Sequence, residues 1–463
     1  YGYAGVICTG PMLLGIVLLV GIAFICDHTG ATRHNRELLN CMITYTLLAS
    51  LTVTSFFSMV VTRYIADMLY EERHEAVLSS FWGSTAILLV VGGIMYGIFL
   101  LFSGINLIDQ FLCLEFFGEL IVTWNAMSYL TAIKDYKGIL ISFITAVAVS
   151  LLVGFLLILI GIPHVEALMI AVTIGYGIML LWDVTLLYRY FPQREISAFF
   201  FLRWVDQFLP LAFTGLFTNI GLFAHLVIMW CGPIRVHVQG LFYGAPYHDV
   251  PAMIAYLTIL ITTVNFVVSV EVNFYPKYQI YFGLFNHGGT LIDIENARDD
   301  MIETLLKELS YAFAKQFFAT VVFIVGGTLL IPRLPFGFTE EMLGIYRVLC
   351  VGYAFYATGN CIMLMSLYFA DNVGALLSSV AYAVCSVLGT WFTMNGDSRY
   401  YGFGFLIAGI IFTATALMRL ISYLKKLDYH VISKQPLIQS KKTGPATRLS
   451  RKLEERYCEK EKI

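Results

Sequence analysis

Two carboxylates four residues apart, Glu115 and Glu119, stand inside a long apolar run and are followed by Trp124 and Asn125. On a helix that spacing places both carboxyls on one face. In a low dielectric such a pair resists double ionisation, so at least one member is expected to keep a proton near neutral pH. A proton-coupled or polar-substrate site needs that chemistry; separate hydrogen bonds to hydroxyls of neighbouring helices account for the pair equally well. Arg63 and Asp67 lie four apart, and Arg203 and Asp206 three apart, so each pair can close on its own helix face. Their matching positions suggest gate ion pairs between two halves, with helix-end snorkelling as the plainer reading. Asp183 and Glu271 fall near the same ends. No GxxxxGK[ST], HExxH or GxSxG motif occurs, so the chain offers neither its own nucleotide site nor an enzyme's signature. Neither a cofactor nor nucleic acid is expected. Asp299-Asp300 reads as a charge run.

The elements that position these groups must be membrane helices. Of 463 residues, 59% are hydrophobic and 13% charged, with mean hydropathy +0.77, which excludes a water-soluble enzyme. Twelve runs long enough to span are expected near 3–26, 40–62, 78–102, 108–133, 139–161, 165–188, 200–230, 249–270, 312–332, 343–369, 373–395 and 400–422. The first reads as a retained span, with the native start expected before Tyr1. The seventh is overlong and should kink at Pro210. Lipid leaves backbone groups unsatisfied, so an all-α integral membrane protein follows. Two six-helix lobes, 1–190 and 200–422, are expected around the polar linker 190–197, with 423–463 as a basic tail.

That tail has net charge +6 from Lys425 onward, against −8 for the rest. Basic loops on its side predict a cytoplasmic C-terminus in a multi-pass membrane protein. The tail is drawn to anionic headgroups or else simply solvated. Within the cytosolic stretch 271–310, Asp293–Leu309 places Ile294, Ile302, Leu305, Leu306 and Leu309 on one stripe, with six acids against two bases around it. It should dock either on another protein or on its own chain. The nine cysteines are scattered and read as packed free thiols.

Several collinear stretches resemble the PelG family of Pel exopolysaccharide transporters, within the MOP flippase superfamily that includes MATE-type exporters. They are Tyr3-Ala-Gly-Val-Ile-Cys-Thr-Gly-Pro11, Thr62-Arg-Tyr-Ile-Ala-Asp67, Leu130-Thr-Ala-Ile-Lys-Asp-Tyr136, Asp249-Val-Pro251, Ala255-Tyr-Leu257, Glu271-Val-Asn-Phe-Tyr275, Gly288-Gly-Thr-Leu291 and Tyr400-Tyr-Gly-Phe-Gly404. The family pattern is departed from after Asn219-Ile-Gly221, where Ala224-His225-Leu226 replaces a charged position. The resemblance implies a two-lobed, twelve-helix carrier exporting a polymer of N-acetylgalactosamine and galactosamine. Implied partners are a PelF-like cytosolic glycosyltransferase and membrane subunits, a PelD-like cyclic di-GMP sensor and a PelE-like protein. On this reading Arg63, Asp67, Glu115, Glu119, Asn125, Arg203, Asp206, Asn219 and Glu271 hydrogen-bond the hydroxyl-rich chain in an inter-lobe cavity. The rivals are a MATE-type small-molecule antiporter and a non-transporting scaffold of a polysaccharide synthase.

Overall fold

The computed structural model describes residues 2–133, 135–192, 197–333, 337–433 and 444–460, with side chains from residue 15 onward except at 136, 286–287 and 456–460. Lys134, the linker centre 193–196 and tail residues 434–443 lie outside the described residues, as do the side chains of Cys8 and Cys458. The helices are α1 (Gly2–Thr29), α2 (Arg33–Tyr70), α3 (Glu75–Phe102), α4 (Leu107–Ile133), α5 (Tyr136–Leu159), α6 (His164–Tyr190), α7 (Leu202–Gln207) and α8 (Leu209–Met229). After a hairpin of β1 (Val236–Gln239) and β2 (Phe242–Gly244) come α9 (Pro246–Tyr256), α10 (Leu260–Ser269), α11 (Tyr275–His287), α12 (Leu291–Leu330), α13 (Glu340–Tyr368), α14 (Asn372–Met394), α15 (Phe403–Leu424), α16 (Leu427–Ser433) and α17 (Pro445–Lys460).

Among the described residues, ten helical segments are long and apolar enough to cross a membrane. Together with α1 and α4 they match the twelve expected spans, and the chain is a multi-pass, all-α membrane protein. Helix α4 carries three acids, Asp109, Glu115 and Glu119, in its first half. Large exposed side chains such as Phe24, Leu101, Phe111, Phe318 and Phe392 suit contact with lipid rather than water. The seventh span breaks at Phe208, whose ψ of 34° separates α7 from α8. Pro210 instead sits in the first turn of α8, where a missing N–H has no helical acceptor to lose.

The chain divides into two compact units. The first comprises 11–223, 234–245 and 438–463. There α2 packs on α4, α3 on α4, α4 on α6, and α5 on α6, around buried Phe81, Phe116, Phe117, Tyr129 and Tyr176. The β-hairpin is tied to it because the Tyr45 hydroxyl donates to the Tyr243 carbonyl at 2.9 Å and accepts its amide at 3.2 Å.

The second unit comprises 1–10, 224–233 and 246–437. Helix α13 packs against α9 and α15, and α14 against α15. Helices α9 to α11 run on continuously through a 3₁₀ turn at Leu257–Ile259 and a π turn at Val270–Phe274. Gly288, at φ +82°, ends α11 in the left-handed conformation. Thr290 and Asp293 then start α12 with a reciprocal capping box. The amphipathic stretch is thus the first part of a 40-residue helix, about 60 Å long, that continues into the ninth span. It docks on its own chain: Met301 and Leu305 are buried with Phe274, Tyr281, Leu420 and Leu427, and Ile294, Ile302 and Leu309 pack alongside. Leu306 remains exposed. Asp428 of α16 locks the assembly, accepting from Tyr281 at 2.6 Å and Arg298 at 2.5 Å.

The tail is not a solvated end at 445–455, because α17 is docked on α7 in the first unit. Asp206 accepts the amides of Gly444, Ala446 and Thr447 and the Thr447 hydroxyl, at 3.1, 3.3, 2.6 and 2.6 Å. A carboxylate there satisfies first-turn donors that have no helical partner. Arg203 bonds Glu454 at 2.7 Å.

Two outcomes follow. Leu305→Ala is expected to lower stability by about 2–5 kcal/mol, read as a lower Tm in detergent, while an unchanged Tm contradicts the packing. Asp206→Ala is expected to cost about 0.5–2 kcal/mol of α17 docking and to expose 444–455 to protease. Burial raises the Asp206 carboxyl, but the Thr447 hydroxyl and the three amides together hold it below its ordinary value. Docking is therefore at full strength above about pH 4 and weakens as pH falls through the lowered value. Hydrogen exchange at 446–450 that ignores acidification contradicts this.

Candidate functional site

Helices α2, α4 and α8 wall a cavity of about 340 Å³ inside the first unit, lined by Thr54, Ser55, Ser58 and Thr62, by Trp124, Asn125, Ser128 and Thr131, and by Gly215 and Asn219, with Leu51, Met59 and Met127 completing it. Helical periodicity assembles the wall: Thr54, Ser58 and Thr62 recur every four residues on α2, Trp124 and Ser128 on α4, Gly215 and Asn219 on α8. Gly215 lets α8 approach α2, since a Cβ there would stand 2.4 Å from the Ser55 carbonyl oxygen.

The hydroxyls of this lining share one role. Thr54, Ser55, Thr62, Ser128 and Thr131 donate their hydroxyl hydrogens to carbonyls three or four residues back on their own helices. The Asn219 amide donates to the Gly215 carbonyl at 3.2 Å. Asn125 donates to Ser84 and Thr85 at 2.8 and 2.9 Å, and the Trp124 indole to Ser50 at 3.1 Å. Hydroxyl oxygens whose hydrogens are committed still hold lone pairs, so the wall accepts hydrogen bonds. None of the lining residues is charged.

Of the residues expected from sequence, Asn125 and Asn219 therefore meet in one cavity. Arg63 and Asp67 close on their own face at 3.0 Å as expected, and Asp67 also accepts the Trp204 indole at 2.8 Å. Arg203 and Asp206 do not close on each other. Their short helix turns both toward α17, whose Glu454 and free amides are the better partners. Both ion-pair positions belong to the first unit. Glu115 is exposed. Glu119 is half-buried against α6, its Oε1 2.9 Å from where a Gly177 Cβ would stand, and its buried Oε2 has no hydrogen-bond partner among the described residues. Neither glutamate lines the cavity. Glu271 lies in the π turn of the second unit. The hydroxyls carry no charge to mark them in the sequence, where their one signal is the four-residue repeat Thr54–Ser58–Thr62. Among the described residues no group of three or more His, Cys, Asp or Glu is arranged to hold a metal ion.

Residues 1–432 match the family described as "PelG: Putative exopolysaccharide Exporter (EPS-E)". A comparison with curated proteins finds no match. Among solved structures, an inward-facing multidrug resistance MATE transporter of the MOP superfamily is similar at TM-score 0.61 and 13% identity, over 92% of this chain and 96% of that one. An outward-facing multidrug resistance MATE transporter of the MOP superfamily gives 0.57 and 14% over the same shares. A MOP superfamily transporter from Pyrococcus furiosus, described as having a binding pocket of reversed polarity, gives 0.57 and 15%, again over 92% and 96%. At such identities the likeness concerns the fold. The chain accordingly belongs to the PelG exopolysaccharide exporter family and is built on the MOP-superfamily transporter fold.

Proposed function

We propose that this chain passes a growing Pel-type polymer of N-acetylgalactosamine and galactosamine across the bacterial cytoplasmic membrane, and that the cavity between α2, α4 and α8 is one station on its path. The observation that supports this most is the uncharged, acceptor-rich lining. Sugar hydroxyls donate to such oxygens, the Asn125 and Asn219 side chains suit acetamido groups, and the Trp124 ring offers an apolar face to a pyranose. An organic cation would meet no carboxylate there, and an unpaired charge within a membrane is costly. The ammonium of a galactosamine unit would meet the same cost, so the lining favours the polymer's uncharged N-acetylgalactosamine units over an organic cation. Arg63 and Asp67 serve as a polar latch beyond Thr62. Glu115, Glu119 and Glu271 are retained as further path contacts, and Arg203 and Asp206 act through α17.

The exposed acids of α12, among them Asp293, Glu295, Asp299 and Glu303, suit the cytosolic glycosyltransferase, with PelD-like and PelE-like subunits in the membrane. The C-terminus then faces the cytoplasm, and polymerisation itself supplies the driving force.

Replacing Asn219 by Leu together with Ser58 by Val removes two hydrogen-bonding groups worth about 1 kcal/mol each. Secreted polymer is expected to fall about tenfold or more at equal protein level, and unchanged secretion overturns the station. Glu115→Ala with Glu119→Ala is expected to reduce secretion as well, and full secretion removes both from the path. Efflux of an organic cation by the purified chain, driven by an ion gradient and abolished by Asn219→Leu, would instead support the antiporter.

A further inference from the structure

A second set of polar groups, unused by that cavity, converges inside the second unit. His225 of α8 and His248 of α9 are 0% and 1% exposed. His225 Nδ1 lies 3.5 Å from His248 Nε2, and His225 Nε2 lies 3.2 Å from the Tyr353 hydroxyl on α13. On the other side His248 Nδ1 faces Asp249 Oδ1 at 3.8 Å, and Asp249 Oδ2 accepts the Trp230 indole at 2.9 Å. His248 Nδ1 makes no hydrogen bond among the described residues. The Asp249 side chain is 30% exposed, so one end of this row reaches the surface while the other is sealed.

Each neutral imidazole carries one N–H and one lone pair. With both rings neutral, Tyr353 donates to His225 Nε2, His225 Nδ1–H donates to His248 Nε2, and His248 Nδ1–H is left facing Asp249 beyond hydrogen-bond distance. One more proton fits on His225 Nε2, with the Tyr353 hydroxyl turning to accept, and the positive charge is shared along two rings beside a carboxylate. The other titratable groups around it are Tyr256 of α9, Tyr356 and Cys350 of α13, and Tyr382 of α14, reached through Phe405 of α15. These are phenols and a thiol, neutral near pH 7, so Asp249 is the one charged group among them.

We infer that His225, His248 and Asp249 form a proton-binding site, with Asp249 as entry and counter-ion. Because Asp249 is also the acceptor for Trp230, proton occupancy is linked to the C-terminal end of α8.

The test is proton uptake by the purified full-length chain, in weakly buffered detergent with chelator present, on acidification from about pH 8 to pH 5. The wild type is compared with His225→Gln, His248→Gln and Asp249→Asn. The wild type is expected to take up about one proton more per chain than His248→Gln. In Asp249→Asn the same uptake is expected to require about tenfold higher proton concentration. Asp249→Asn keeps both imidazoles and an acceptor for Trp230, so it carries the test even where a histidine variant does not fold. Uptake identical across the wild type and every folded variant overturns the site, as does uptake indifferent to Asp249→Asn alone.

Discussion

A hydroxyl buried in a membrane protein can return its hydrogen to a carbonyl one turn back on its own helix, and the cavity rests on that bond. Thr54, Thr62, Ser128 and Thr131 all make it. It removes the penalty for an unsatisfied donor in low dielectric, yet keeps the oxygen's remaining lone pairs for whatever enters. Helices α2, α4 and α8 can thus be apolar enough toward lipid to insert and still present hydrogen-bond acceptors on one inner face. Charge is not needed for this, and the lining has none.

Charges are concentrated where they fasten one element to another. Asp206 caps a helix that lies 240 residues later in the chain, and Asp428 gathers Tyr281 and Arg298. Asp371 takes a bidentate pair from Arg419 at 2.7 and 2.9 Å. In each case the carboxylate sits at a helix terminus or between helices, where both partners can be met at once, as a charged group taken from water requires. The outward acids of α12 are partnered locally, Asp293 with Thr290 in the helix cap and Asp299 with the neighbouring Arg298, and they form its polar face.

The spans were legible in the sequence because their apolar runs are long and bounded by charged or turn residues, and α13, α14 and α15 fall within three residues of the expected boundaries. The family resemblance rested on collinear motifs that the matched region, 1–432, encloses. Asn125 and Asn219 were legible as polar groups inside spans. The pairing of Arg203 and Asp206 was not, since periodicity within α7 cannot anticipate partners 240 residues away. The hydroxyls escaped notice for a related reason: Ser and Thr are common in membrane helices, and only the packing of Gly215 against Ser55 shows which ones share a face. The break at Phe208, two residues before the proline, reflects the tolerance of a first helical turn for Pro210.

Under the proposed function, sugar occupies the neutral cavity of the first unit during export. Site-specific photo-crosslinking from position 219, in cells actively secreting polymer, tests it directly, with position 318 on the exposed apolar face of α12 as control. Polymer adducts at 219 and none at 318 are the predicted result. Equal labelling at the two positions, or none at 219 while secretion proceeds, contradicts the account.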